Sequence, residues 1–270
     1  MVFKTCRTIY NIKLQTAMLV GAPYNTLPNT TLNEKFGIIP NYPTKDYPRL
    51  NLITIGIGGN PVIYSEPDSL KTSIHKPVDA SLFEHVPFLL VKPDEITDDI
   101  NNNYRLRKTI NIDGTDYVAF YGMVLNNIKY QDELYYAVTN NDTSILAPYD
   151  TLYNQSLLNP TPILNNDLTK MSSSFIFNMC KIPISLEKDV INNINNALKL
   201  LYPDKQINAI NEIGLCSSVD VELKDGTKEA VNAQINYFVD VNIDIQLLDN
   251  LNNDSVNFYL EIGGAEPLYN

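Results

Sequence analysis

The chain has no tryptophan, only two histidines (His75 and His85), and three cysteines far apart (Cys6, Cys180 and Cys216). Histidine is the side chain whose ordinary pKa lies nearest neutrality, so its scarcity leaves acid–base chemistry to carboxylates, lysines and tyrosines. An odd number of scattered cysteines cannot complete a disulfide framework, and without C-x-x-C spacing they offer no zinc site. They are expected to be thiols in a reducing compartment. There is no apolar run long enough for a membrane helix, and no basic segment followed by an apolar one that would read as a secretory leader. Positive charge is short as well: 20 Lys and Arg stand against 31 Asp and Glu, for a net charge of −11 and a pI near 4.6. A surface of that sign does not release counterions from phosphate, so neither nucleic acid nor an anionic membrane is expected as a partner. No repeat of fixed period is present, which sets aside solenoids and propellers.

Asparagine is what the chain has in excess, at about one position in eight. Its side chain caps turns and tolerates left-handed backbone, so many short connections are expected. Triplets such as Asn29-Thr30-Thr31 and Asn141-Asp142-Thr143 follow from that abundance and carry no glycosylation argument. Seventeen tyrosines give apolar area with a polar tip, a combination enriched at interfaces. Tyr135, Tyr136, Tyr149 and Tyr153 cluster near the middle of the chain and are interface candidates, with packing inside a strand as the other reading. An apolar content of 44% over 270 residues is enough for a core, and the chain is expected to fold as a single structural domain.

Pro23, Pro28, Pro40, Pro43 and Pro48 argue against a long helix in residues 1–50 and predict an extended, irregular arm. Residues 50–57 read as a strand ended by Gly58-Gly59, and residues 79–85 as one helical turn at most. Residues 105–112 and 115–125 alternate on either side of Asp113-Gly114, the pattern of a type I′ hairpin, with 135–139 as a third strand. Residues 140–170 are turn-rich and predict an internal linker between two subregions. A strand is expected over 173–184. Leu186, Val190, Ile194 and Leu198, joined by Ile191 and Leu201, predict one amphipathic helix over 185–201, with Ser185 as N-cap and Pro203 as the stop. It should pack on a sheet of flanking strands. Residues 219–224, 229–239, 241–247 and 256–262 read as strands, with a helix as the other reading of 229–239. The predicted class is α+β, dominated by antiparallel β-sheet.

Gly56-Ile57-Gly58-Gly59 after a strand invites a phosphate-loop reading, in which glycines let N–H groups approach an anion. The dinucleotide spacing fails at Pro61 and no Walker lysine is present, so the residues read as turn punctuation. His75 and His85 flank Asp79 and Glu84 without any metal-ligand spacing. Asp94, Glu95, Asp98 and Asp99 match no calcium loop and read as a solvated loop or a first helical turn. Neither a nucleophile elbow nor a defined histidine partner for Cys180 or Cys216 is present. No catalytic residue, metal ligand or cofactor site is predicted.

The stretch from His75 to Phe88, Asn103-Tyr104-Arg105-Leu106-Arg107, Asn159-Pro160-Thr161-Pro162, Glu212 to Asp220 and Gly264-Ala265-Glu266-Pro267-Leu268 together resemble a family of virion structural proteins of tailed bacteriophages. The resemblance covers residues 75–268. It implies a non-enzymatic subunit of the particle, in the tail, baseplate or neck, made in the host cytoplasm and assembled as a homo-oligomeric ring beside other virion structural proteins. Arg105 and Arg107 are then candidates for interfacial ion pairs, with a solvated strand face as the other reading. Two other classes fit the residues: a carbohydrate-binding or host-recognition module using tyrosine and asparagine, and a hydrolase built on a carboxylate of raised pKa.

Overall fold

Alternating segments become strands through most of this chain because one face of each can be buried. The computed structural model describes residues 4–39, 44–59, 75–126, 128–140, 143–148, 170–205, 207, 209–224, 226–245 and 255–269. In chain order the elements are β1 (Lys4–Arg7), α1 (Ile9–Val20), α2 (Leu32–Phe36), β2 (Arg49–Gly56), β3 (His85–Val86) and β4 (Leu89–Val91). A 3₁₀ turn (Pro93–Glu95) then leads to α3 (Asp98–Asn103), β5 (Tyr104–Ile112), β6 (Thr115–Val124), β7 (Lys129–Asn140) and β8 (Thr143–Pro148). The last elements are β9 (Lys170–Glu187), α4 (Lys188–Leu201), β10 (Ala209–Glu222), β11 (Lys228–Asp244) and β12 (Ser255–Tyr269). The protein is therefore α+β and β-dominated, with antiparallel sheets, as the sequence pattern implies. Among the described residues no helix is long and apolar enough to cross a membrane.

The chain divides into two compact units, one of Met1–Asn126 with Leu186–Val256, the other of Asn127–Ser185 with Asn257–Asn270. The first is built on an eight-stranded sheet of order β1-β11-β10-β2-β6-β4, with β3 beside β2 and β5 beside β6, all pairs antiparallel. The second holds a four-stranded sheet of order β12-β9-β7-β8. The residues read as a linker, 140–170, fall within this second unit, and 149–169 lie outside the described residues. The strand at 135–139 belongs to β7 in that sheet, so it does not extend the β5–β6 hairpin. The hairpin itself turns at Asp113 and Gly114, both at positive φ (49° and 82°), the backbone that a two-residue I′ turn requires.

The N-terminal fifty residues hold a helix that their proline content argues against. Every proline of this stretch lies at position 23 or later, so residues 8–22 are free to coil, and α1 forms between Thr8, whose hydroxyl caps Asn11 N–H, and Gly21 in left-handed backbone. Residues 79–85 form bends rather than a helical turn, and 229–239 are strand throughout, inside a β11 that also absorbs 241–244. Asp98 and Asp99 do open a helical turn, α3, capped by Thr97.

The amphipathic helix begins three residues later than its apolar spacing suggests. Ser185 and Leu186 end β9, and Glu187 stands at the cap of α4 with no side-chain capping bond. The cause lies in the strand: Ile182, Ile184 and Leu186 are all buried at a period of two, and the last of them sits by coincidence four residues before Val190. α4 buries Ile191, Ile194, Ala197 and Leu198, and its main neighbours are β3 and β4, not the strands that flank it in sequence. Ile194 is fully buried. Replacing it by Asp should remove about 3 kcal/mol or more, because an unpaired carboxylate would be placed in the core. Urea unfolding measures this directly, and an unchanged midpoint would rule out the packing described.

Candidate functional site

β2 runs out of the sheet into Ile57-Gly58-Gly59, and its neighbour β10 brings Asn211 and Glu212 there. The segment from His75 to Val86 lies across the same edge through the short pairing of β3 with β2. These three pieces of chain converge on Glu212, which is completely buried. One carboxylate oxygen, Oε1, accepts from Gly58 N–H at 2.6 Å and Glu84 N–H at 3.4 Å. The other, Oε2, accepts from Phe83 N–H at 2.8 Å and from Nε2 of His75 at 2.9 Å. Four donors aimed at one carboxylate supply the stabilisation that water would otherwise give.

His75 is held as firmly. Its ring lies between Phe83 and Phe238, with centroids at 4.1 Å and 3.9 Å and planes within 13° and 8° of parallel. Its Nδ1 is buried without a hydrogen-bond partner, and the nearest carboxylate, Asp79 Oδ2, is 3.6 Å away and already accepts from Lys76 N–H.

The glycines make this possible by being absent side chains. A Cβ at Gly56 would stand 2.7 Å from the Glu84 carbonyl oxygen and 2.8 Å from Glu212 Oε1. One at Gly58 would stand 2.6 Å from Phe83 Cβ and 2.8 Å from Glu84 N. The Asn211 amide completes the edge, accepting from Gly59 N–H at 3.0 Å and donating to the Ile57 carbonyl at 3.1 Å. Gly56-Ile57-Gly58-Gly59 closes its strand as turn punctuation, and the backbone N–H of Gly58 that approaches a carboxylate there meets the protein's own Glu212.

The second histidine sits nearby with different chemistry. Leu82 N–H can only donate, and it points at His85 Nε2 at 3.1 Å, so that nitrogen carries the lone pair and Nδ1 holds the proton, 3.0 Å from Thr54 Oγ1. Ser81 Oγ lies 2.9 Å from the same Nε2. Burial pushes its pKa down to about 3, aided by the neighbouring positive charge of Lys35. His85 meets the edge of Phe36, which stacks on Tyr121.

The arginines expected to face outward turn inward. Arg105 is buried, pairs with Asp220 at 3.4 Å and donates to the carbonyls of Asn101, Asn102 and Tyr104. Arg107 pairs with the buried Glu229 at 3.0 Å. Between them Leu106 takes a left-handed φ of 56°, and its N–H is received by Glu229 Oε1 at 2.7 Å. Of the tyrosines, Tyr135 and Tyr136 lie on β7, whereas Tyr149 and Tyr153 fall outside the described residues. Asp94, Glu95, Asp98 and Asp99 are exposed on the turn and helix that precede β5. Burial pushes the Cys216 and Cys180 thiols up, away from the reactive thiolate. Among the described residues no group of three or more His, Cys, Asp or Glu could hold a metal ion.

A histidine on a carboxylate can serve as a general base only if its free nitrogen reaches a substrate. Here both ring faces are covered by phenylalanine, one nitrogen is bound to Glu212 and the other is buried. In this conformation the pair is a bolt inside the first unit. Sequence reasoning passes over it because Glu212 and His75 are 137 residues apart, and only the topology brings them together. The one available signal is the glycine run, which marks a close approach whatever approaches.

An antiparallel α+β sheet protein with a sealed histidine–glutamate centre is the class so defined. The chain belongs to the family of unknown function DUF7208, whose model matches residues 2–270. No curated protein and no solved structure matches it.

Two measurements check this centre. Gly58→Ala should lower stability by about 2 kcal/mol or more, since the new methyl overlaps Phe83 and the Glu84 amide; an unchanged denaturation midpoint would contradict the close approach. The second concerns His85. In the unfolded chain its imidazole binds a proton below about pH 6.5, whereas the folded protein refuses one until about pH 3. Across that window the unfolded state carries the extra proton, so stability falls as the pH drops and is unaffected by this group above the window. Between about pH 7 and pH 4.5 the loss from His85 should be roughly 2.5 kcal/mol. His85→Gln should lack this component, so equal slopes for variant and wild type would overturn the assignment.

Proposed function

We propose that the chain is a non-enzymatic structural subunit of a tailed-bacteriophage particle, set in a symmetric ring of the tail, baseplate or neck and fastened to neighbouring virion proteins. The observation that carries this reading is the outer face of α1. Ile9, Ile12, Leu19 and Val20 are exposed there, and Leu19 retains 86% of its surface. Val78 is exposed beside them, since Ile9 N–H binds the Pro77 carbonyl. Apolar surface gathered in this way marks a contact with another protein more often than a solvated face.

The disposition of the polar groups supports the same reading. Glu212, Glu229, His75, His85 and Arg105 are all engaged in holding the sheet together. The virion setting rests on the resemblance of residues 75–268 to particle proteins. Quantitative mass spectrometry of purified particles from the phage that encodes this chain tests it. A fixed number of copies per particle, in a ratio to the other structural proteins that fits a ring, is the expected result; particles without the chain, or with only trace amounts, would overturn it.

A further inference from the structure

The first unit is not fastened equally well everywhere. β1 and α1 lie over β11 and over the segment that carries His75, and they bury little. Of the residues of α1 only Tyr10, Asn11 and Leu14 are buried, whereas α4 buries Ile191, Ile194, Ala197 and Leu198, and β10 is buried from Ile210 to Val219 without a break. β1 pairs with β11 over four residues, Lys4–Arg7 opposite Tyr237–Asp240. Beyond that ladder the hold comes chiefly from three residues. Thr8 N–H donates to the Asn236 carbonyl at 2.9 Å and its hydroxyl to the Ile235 carbonyl at 2.8 Å. Ile9 N–H donates to the Pro77 carbonyl at 2.9 Å, and the Tyr10 hydroxyl to the Val78 carbonyl at 2.7 Å. Gly21 ends α1 in left-handed backbone, and residues 22–27, with Pro23 among them, form neither helix nor strand.

What lies beneath is the second observation. Among the described residues two buried side-chain atoms have no hydrogen-bond partner, His75 Nδ1 and Asn236 Oδ1, and both belong to residues under this segment. Asn236 is the residue whose carbonyl Thr8 holds. Burial first and the Asp79 carboxylate second push the Cys6 thiol and the Tyr10 phenol up, so both side chains stand near the carboxylate that lies 3.6 Å from His75 Nδ1. A buried polar atom without a partner regains hydration when its cover lifts, which lowers the cost of lifting.

We infer that residues 4–20 form a strap that lifts as one unit while the rest of the first unit stays folded. None of the four donors to Glu212 lies in it, and the stack of Phe83, His75 and Phe238 is built without it, so the centre survives the opening. With the strap closed, the outer edge of β11 from Tyr237 to Asp240 is paired. With the strap lifted, that edge and the carbonyls of Ile235 and Asn236 offer a ladder to an extended segment, so the strap is a guard on a strand edge. This does not depend on the virion reading, which the particle copy number judges separately.

Native-state hydrogen exchange on the full chain, followed by NMR residue by residue, tests it. Expected is exchange at the Thr8 and Ile9 amides about a hundredfold or more faster than at Leu215 in the middle of β10. The second measurement uses Ile194→Val, which trims a buried side chain of α4, outside the strap. Unfolding of the whole unit becomes easier in this variant, so exchange at Leu215 should rise about fivefold while Thr8 and Ile9 keep their wild-type rates. An equal rise at all three amides, or wild-type exchange at Thr8 and Ile9 no faster than at Leu215, overturns the inference, because the strap then opens only with the whole unit. Protection that climbs steadily from Thr5 to Leu14, instead of sharing one value, is fraying of a chain end and overturns it as well.

Discussion

A carboxylate without water is the constraint on which the rest of the first unit depends. Glu212 is fully buried, and an ion moved from water into a protein interior loses several kcal/mol of solvation unless dipoles replace the water. The replacement comes from the backbone of Gly58, Phe83 and Glu84 and from the His75 ring, so three stretches of chain far apart in sequence must arrive together. That requirement propagates outward. It demands glycine where Glu84 and Phe83 press on the end of β2, and it fixes the segment from His75 to Val86 against the sheet edge. It also places the His75 ring where Phe83 and Phe238 can enclose it.

The same principle recurs wherever a ladder breaks: a side chain takes the place of a missing strand neighbour. Asn232 takes a left-handed φ of 54° close to a register shift between β10 and β11, and Asn33 of α2 reaches into that gap. Its amide donates to the Ala230 carbonyl and accepts from Ala233 N–H, both at 2.8 Å. Asn211 does the same for residues 57 and 59, and Glu229 receives the N–H of the left-handed Leu106. A buried amide without a partner costs about as much as several such bonds contribute, so irregular strands of this length persist only with these substitutes. The abundance of asparagine therefore has a use beyond turns. Its side-chain carboxamide can donate and accept at once, much as a peptide group does, and here it repairs β-sheet.

Much of the fold is legible in the sequence because period and punctuation are local properties. The Asp113-Gly114 turn, the end of β10, the strands β11 and β12 and the Ile191, Ile194 and Leu198 face of α4 all arise from side chains within reach of their neighbours in sequence, whereas residues 209–218 of β10 carry no such local signal. The errors have equally definite causes. Prolines gathered after position 22 count against a helix that ends before them. Leu186 reads with the helix although it closes a strand, because a two-residue period meets a four-residue one every fourth position. The central pair of Glu212 and His75 leaves only the glycine run as a local trace, since a glutamate near the start of an apolar strand looks like an edge residue until its partners arrive from elsewhere in the chain.

Function depends on which reactive groups the fold can spare. The chain has two histidines, and both are committed: one braces the buried carboxylate, and the other is kept neutral between Thr54 and the Leu82 amide. Drawing either into proton transfer with a ligand would mean opening the region where β2, β3 and β10 meet, with the loss of the carboxylate's solvation as well as of the ring packing. Exposed apolar residues on α1 carry no such obligation, because their removal from water costs the fold nothing and stabilises any contact that covers them. With both histidines and the buried carboxylates Glu212 and Glu229 holding irregular strands together, covering the exposed apolar residues of α1 needs less rearrangement of the structure than drawing either histidine into proton transfer would.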